Sequence, residues 1–350
     1  MGDSIPLGRS DLARFPFLPQ ARQIIGELDI DFVELGSLKN IVDRAKQRVL
    51  ASFALRADKP SEKVDVEIAS FPVAMLVVAG VNDKTLTKRY ALFEAKKMYD
   101  YLKDERDEII SKIAQFFKWK KITKFVAADA ELAVLKYKVH FVNYLSNATS
   151  LVHDPRWKLV NHQIQMGQVE VTKREVCRLL QEEIRKHVES KAVGKMPQIP
   201  QTIQDTIDEI KAEYLKVKPH VTEIDRIRVF AEESEYPPCI RNLYDKMIKG
   251  QHLSHVERLT LVTYLLHQGI SVDAITNLFA GLSDYRRDRT RYQVEHLAGK
   301  KGSGTVYKPY NCATLRTHGV CLNPDDPICK NIKNPLSYHL RKKLFDEKER

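Results

Sequence analysis

Lys158-Leu159-Val160-Asn161-His162-Gln163-Ile164-Gln165, then Met166-Gly167, then Gln168-Val169-Glu170-Val171 reads as a small β-hairpin with glycine at its turn. Thr172-Lys173-Arg174-Glu175 follows at once. A threonine with a glutamate three residues on is a capping box, so a helix opens there and runs to about Lys191. Upstream of this stretch the pattern is helical. Leu38, Ile41, Val42, Ala45, Val49 and Phe53 form one stripe, and Leu86–Leu102 and Asp107–Phe117 behave similarly. Asp129–Leu145 begins in the same way, but its end, Tyr137-Lys138-Val139-His140-Phe141, alternates and reads equally as extended chain. Glycine is scarce, 14 in 350 residues, which argues against a turn-rich fold. The expected fold is mainly α with a small α/β patch: a helical N-terminal scaffold and a separate, mostly helical C-terminal domain.

Ala192–Thr202 contains Gly194, Pro197 and Pro200 and reads as a linker, followed by one amphipathic helix, Ile203–Leu215. The division this suggests is a scaffold over 1–191 with its mixed portion around 157–191, a linker and connecting helix over 192–222, and an end domain over 223–350. A hydrophobic content of 43% excludes a disordered chain. The longest apolar run, Ile68–Val81, holds Ser70 and Pro72 and is too short to span a bilayer. Met1-Gly2-Asp3-Ser4 lacks the features of a signal peptide, so a soluble intracellular protein is expected, with no membrane partner. Of the formal charge of +11, the segment Cys239–Arg350 carries +8, from 19 Lys and Arg against 11 Asp and Glu. A basic end domain suits a polyanion, most often nucleic acid.

Of five cysteines, Cys177 keeps register with Leu180, Ile184 and Val188 and belongs in a core. The other four, Cys239, Cys312, Cys321 and Cys329, sit beside prolines, glycine, asparagine or aspartate and not on periodic apolar faces. Four thiolates complete a metal site with none left over. The gaps between them are 72, 8 and 7 residues, with no Cys-x-x-Cys pair of the kind that builds zinc ribbons and bacterial ferredoxins. The residues alone therefore leave zinc and iron–sulfur both open. The wide first gap means that the metal must tie distant pieces of chain together. His318 could substitute as a ligand, although a surface role suits it better.

Ser254 and Glu257 form a second capping box, starting a helix at His255 that ends near Gly269. His255 and Arg258 then lie in its first turn, a good place for a phosphate. Tyr285-Arg286-Arg287-Asp288-Arg289-Thr290-Arg291-Tyr292 interleaves four arginines with two tyrosines, which suits phosphate gripping and base stacking but equally a solvated charged loop. Asp29-Ile30-Asp31 is the one tempting pair of carboxylates, since alternation on a strand would aim both one way, yet no third acid stands out beside it, and it reads as structural. Gly299-Lys300-Lys301-Gly302-Ser303-Gly304-Thr305 fails the phosphate-loop pattern and reads as a mobile basic loop. Asp325-Asp326 reads as shaping the turn near the thiols, and Arg341-Lys342-Lys343 as a solvated basic tail.

The order Pro237-Pro238-Cys239-Ile240-Arg241, Leu253-Ser254-His255-Val256-Glu257-Arg258, Tyr264-Leu265-Leu266-His267-Gln268-Gly269, Tyr292-Gln293-Val294-Glu295-His296, Tyr307–Cys312 and Gly319-Val320-Cys321 resembles the C-terminal domain of archaeal and eukaryotic DNA primase large subunits. Pro16-Phe17-Leu18, Arg89–Glu94, Asn143-Tyr144-Leu145 and Gly167-Gln168-Val169 resemble the helical scaffold of the archaeal form, which the short length also favours. The resemblance implies one 4Fe–4S cluster on Cys239, Cys312, Cys321 and Cys329, in a subunit that is not itself catalytic. It implies binding to the catalytic small subunit, and contact with single-stranded DNA template, RNA primer or the initiating nucleoside triphosphate. On it, His255 and Arg258 become contacts to template or triphosphate, and Tyr292 and His296 match positions near bound nucleic acid. Arg287, Arg289 and Arg291 are added from their local pattern alone. The rival readings are a stand-alone zinc-stabilised nucleic-acid-binding protein and a nucleotidyltransferase using Asp29 and Asp31.

Overall fold

The sheet expected around the hairpin forms, but on a different footing. In the computed structural model, which describes residues 7–27, 39–54, 58–120, 122–126, 135–152, 154–192, 199–217 and 236–349, it has four antiparallel strands in the order β1-β2-β4-β3. They are β1 Thr123–Val126, β2 Leu135–His140, β3 Ile164–Gln165 and β4 Gln168–Val171. The alternation thus resolves as strand over Tyr137–His140, with Tyr137 opposite Val171 and Val139 opposite Val169, and Phe141 begins a helix. These four side chains are buried, giving the sheet one inward face. The first hairpin arm is shorter than the sequence suggests. Pro155–Trp157 and Leu159–Asn161 are single 3-10 turns. Asp154 caps the first through Arg156 N, and Asn161 Nδ2 donates to Pro155 O. Only Ile164 and Gln165 then pair, across a two-residue turn with Met166 at φ 49° and Gly167 at φ 73°. That left-handed pair is the hairpin geometry that favours glycine.

The chain divides into two units, 1–217 and 218–350. In the first, helices α1 Arg9–Arg14, α2 Pro19–Glu27, α3 Lys39–Ala54, α4 Val64–Val81, α5 Lys84–Leu102, α6 Asp107–Phe116, α7 Phe141–Ala148, α8 Lys173–Lys191 and α9 Gln201–Val217 surround one core. The stripe on α3 points inward through Ile41, Val42, Ala45 and Val49. The run read as too short for a membrane is part of α4, an 18-residue helix with Pro72 inside it. By length and apolarity alone α4 could cross a bilayer, but it is the central helix here, with Val73, Ala74, Val77 and Val78 wholly buried. Cys177 is buried on α8 and its thiol donates to Leu102 O. The expected connecting helix is α9. It packs on α3 and α4 and buries Ile203, Ile207 and Ile210 in the same core, so this helix belongs with the first unit, and the division at 217/218 falls inside the expected 192–222 connection. Its apolar face had a partner within the scaffold.

Charge is buried in this unit as a closed network. Arg44 bonds Glu67 and Asp58, Lys97 bonds the same two carboxylates, and Arg48 grips Glu94 with two bonds of 2.9 Å. Burial opposes ionisation of Glu67 and Asp58, yet Arg44 and Lys97, with Arg48 at Glu67, hold both carboxyls below the usual range.

The second unit is built from α10 Pro238–Ile248, α11 His255–His267, α12 Val272–Leu278, α13 Arg287–Leu297, α14 Cys312–Thr317 and α15 Tyr338–Glu349. Its core joins Tyr236, Ile240, Leu243 and Tyr244 to Leu261, Tyr264, Leu265, Ile275 and Phe279, with Leu315 and Val320 from the cysteine-bearing segment. Arg341, Lys342 and Lys343, expected as a tail, lie on α15. Asp29 and Asp31 lie outside the described residues, as do 193–198 and 218–235.

Candidate metal centre and nucleic-acid interface

Four pieces of local geometry bring the C-terminal thiols together. Pro238 opens α10 and places Cys239 in its first turn, 8% exposed and packed against the core. Cys312 starts α14, capped by Asn311 Oδ1 accepting from Thr314 N, and its own N–H donates to Lys333 O. Gly319, at φ 67°, ends that helix, and Val320 N and Cys321 N then both donate to Leu315 O. Asp326 Oδ1 accepts from Ile328 N and Cys329 N, which sets the turn carrying Cys329. Asp326 thus does shape this turn, as the sequence suggests, while Asp325 stays exposed.

All four thiols line one cavity, closed by Pro237, Pro238, Leu315, Ile332 and Pro335, with Arg316 and Asn323 at its polar edge. Neither a carboxylate nor an imidazole lines it, so the donor set is sulfur alone, suited to a soft metal. Among the described residues, no three His, Cys, Asp or Glu side chains converge closely enough to share one ion. Burial, then the neighbouring thiols Cys321 and Cys312, pushes Cys239 up to about 12. Burial and then Asp326 push Cys329 up to about 12 as well. Left to themselves these thiols keep their protons at neutral pH, and a bound cation is what would draw thiolates from them. His318 is exposed and does not line the cavity.

The second capping box forms as the sequence expects. Glu257 N donates to Ser254 Oγ, Ser254 N donates to Glu257 Oε2, and buried Glu257 also takes Lys246 at 2.8 Å. α11 begins at His255 and closes at Gly269, whose φ of 79° suits glycine. His255 is exposed in the first turn. Arg258 is half-buried and held: Nε donates to Leu253 O, a terminal nitrogen meets Asp284 Oδ2 at 2.6 Å, and the guanidinium lies over Phe279. The helix end is therefore braced by Arg258 while His255 faces outward.

The arginine–tyrosine segment is not a loop. α13 begins inside it at Arg287, and Tyr285 is buried in the core and closed to stacking on a base. Helical spacing then sorts the arginines. Arg289, Tyr292, Gln293 and His296 stand at i, i+3, i+4 and i+7 on one face. Arg291 is turned toward Glu295 and Asp273, which it pairs. Arg287 is exposed on that other side. Tyr292, 54% exposed, stacks toward His296 with centroids 6.5 Å apart, and His296 toward Tyr307 at 5.4 Å. Sequence reading missed Tyr307 as a site residue, although its place just before Cys312 was the available signal.

The basic segment 299–305 is closed at its base by an antiparallel bridge between Ala298 and Val306. Lys301 pairs with Glu295 and sits 5.4 Å over the Tyr292 ring. Gly302 lies against His296: a Cβ there would come within 3.0 Å of His296 Cδ2, at a φ of 75°. This loop, read from sequence as mobile, is thus a lid resting on the aromatic row.

The second unit is thus a helical domain that gathers four cysteines on one cavity and carries a row of aromatic and basic side chains along α13. Residues 231–344 match the family that comprises the C-terminal domain of eukaryotic and archaeal DNA primase large subunits. The similarity extends beyond that domain. A protein named DNA primase large subunit PriL from Methanococcoides burtonii is 34% identical over 346 residues, covering 95% of this chain and 92% of the relative. The corresponding protein of Methanosarcina acetivorans is 33% identical, covering 97% and 90%. That of Halobacterium salinarum is 31% identical, covering 93% and 92%. The chain belongs to the DNA primase large subunit family.

Proposed function

We propose that this chain is the non-catalytic, regulatory subunit of an archaeal-type DNA primase, and that Cys239, Cys312, Cys321 and Cys329 hold one 4Fe–4S cluster. The observation that carries the proposal is the meeting of all four C-terminal cysteines on a single apolar cavity. A zinc ion holds its four sulfurs at about 2.3 Å, in a tight tetrahedron. The all-sulfur lining suits zinc and iron–sulfur alike, and membership of the primase large subunit family is what favours the cluster over the stand-alone zinc protein. When bound, the cluster would supply a cross-link between α10 and the segment that follows Tyr310.

In this reading the chain's own residues position and do not react. Tyr292, His296 and Tyr307 offer ring faces on which unpaired bases stack. Arg289, with Lys300 on the lid, supplies cations for the phosphates that accompany them. His255, exposed at the start of α11, faces a phosphate or the initiating triphosphate, and Arg258 braces that helix end. The first unit binds the catalytic small subunit, and holding template and first nucleotide nearby raises their effective concentration at its active site.

The test is initiation. A complex of this chain with the catalytic subunit should make the first dinucleotide on single-stranded DNA far faster than the catalytic subunit alone. A Cys321→Ser complex should lose that gain while still extending a supplied primer. Equal initiation with and without this chain would refute the reading.

A further inference from the structure

A site of four thiolates carries excess negative charge whichever soft metal fills it. Around a zinc ion, or around an oxidised 4Fe–4S core, the sum is about two negative charges. The walls of the cavity here do little to offset that. They are prolines with Leu315 and Ile332, and an electric field is weakly screened through such groups. Asp326, held by Ile328 N and Cys329 N, puts a further carboxylate beside Cys329.

Arg316 is the one cationic side chain that lines the cavity among the described residues. It stands on α14, which starts at Cys312, and its backbone is fixed on both sides. Its neighbour Leu315 is buried, Val320 N and Cys321 N both donate to Leu315 O, and Gly319 N donates to Arg316 O. The arginine is thereby carried between Cys312 and Cys321. Its guanidinium is exposed and meets no carboxylate among the described residues, so its charge is not already offset. Lys330, beside Cys329 in the chain, leans instead toward Asp325 at 4.0 Å and does not line the cavity. Burial and then Cys321 raise the Cys312 thiol, and Arg316 is the cation that opposes them.

We infer that Arg316 is the counter-charge of the four-thiolate site and sets the reduction potential of the group bound there. The inference rests on the proposed cluster for what is reduced, and on the lining of the cavity for which residue tunes it. It assigns no electron transfer to primer synthesis. An added electron makes the cluster more negative, so a nearby cation favours the reduced form.

The test is a redox titration of the full-length, cluster-loaded chain at low ionic strength, with the electron supplied by an electrode through dissolved mediators. Iron content and circular dichroism melting would confirm that each variant is loaded and folded, and the exposure of Arg316 makes its replacement safe for the fold. At a fixed applied potential, Arg316→Gln should lower the reduced-to-oxidised ratio about threefold, roughly 30 mV for one electron, and Arg316→Glu about tenfold, roughly 60 mV. Arg316→Lys should keep the wild-type potential, and added salt should shrink every difference, which a purely structural role would not produce. Loaded, folded variants that keep the wild-type potential, or an iron-loaded protein that takes up no electron, would overturn the assignment of Arg316 alone. A colourless zinc protein would instead bring down the cluster reading, and this inference with it.

Discussion

The two units solve the problem of buried polar groups in opposite ways. In the first, one buried network among the described residues sets charge against its opposite: Arg44, Arg48 and Lys97 against Asp58, Glu67 and Glu94. That network is complete as the chain folds. In the second, four thiols line one cavity, burial pushes those of Cys239 and Cys329 up to about 12, and no carboxylate or imidazole among the described residues lines it with them. The buried charges of the first unit are answered by its own side chains, whereas in the proposed reading the second would take its last cross-link from a bound cluster. The contrast teaches that one chain can join a unit whose buried charges are mutually paired to a unit whose clustered thiols are open to a metal.

The largest effect that would break this comparison is loss of the proposed cluster. Cys321→Ser, or exhaustive chelation of the reduced full-length chain, should unfold the second unit and leave the first unit's melting transition in place. Calorimetry resolves this, and loss of both transitions together would contradict the stated independence. Next in size, Arg48→Met leaves Glu94 buried without its partner and should cost the first unit about 3–5 kcal/mol, read in urea. The pH dependence sharpens the same point. Glu67 and Asp58 are depressed in the folded state, so their stabilisation is present above the ordinary carboxylate values of 4.5 and 3.8 and fades as the pH falls below them. The first unit's melting temperature should therefore be level near neutrality and drop through that acid range. Smaller still, Tyr292→Ala should weaken single-stranded DNA binding by about 1–3 kcal/mol without moving either transition, as fluorescence anisotropy would show. The smallest expected change is Asn311→Ala, which removes the cap of α14 and should lower the second unit's stability by about 1 kcal/mol.

What the sequence made legible was local. Both capping boxes, Thr172 with Glu175 and Ser254 with Glu257, form as read, because a cap is settled within four residues. The cysteines stood out because chain-breaking neighbours keep them off periodic faces. Partnership at a distance was not legible. Amphipathicity showed that α9 buries a face, but not that α3 and α4 cover it. Arg258 looked available until Asp284, 26 residues on, took it. The split among the arginines needed a helix start at Arg287, which charge pattern does not mark. Strand β1 went unread because it pairs with β2 and has little pattern of its own over four residues.

The central claim, that the four C-terminal thiols hold an iron–sulfur cluster, is open to one direct measurement. The full-length chain, purified without oxygen, would be analysed for visible absorption, iron, sulfide and zinc. A brown protein with about four irons and matching sulfide per chain, lost together in Cys321→Ser, is the expected result. A colourless protein carrying about one zinc would contradict the claim.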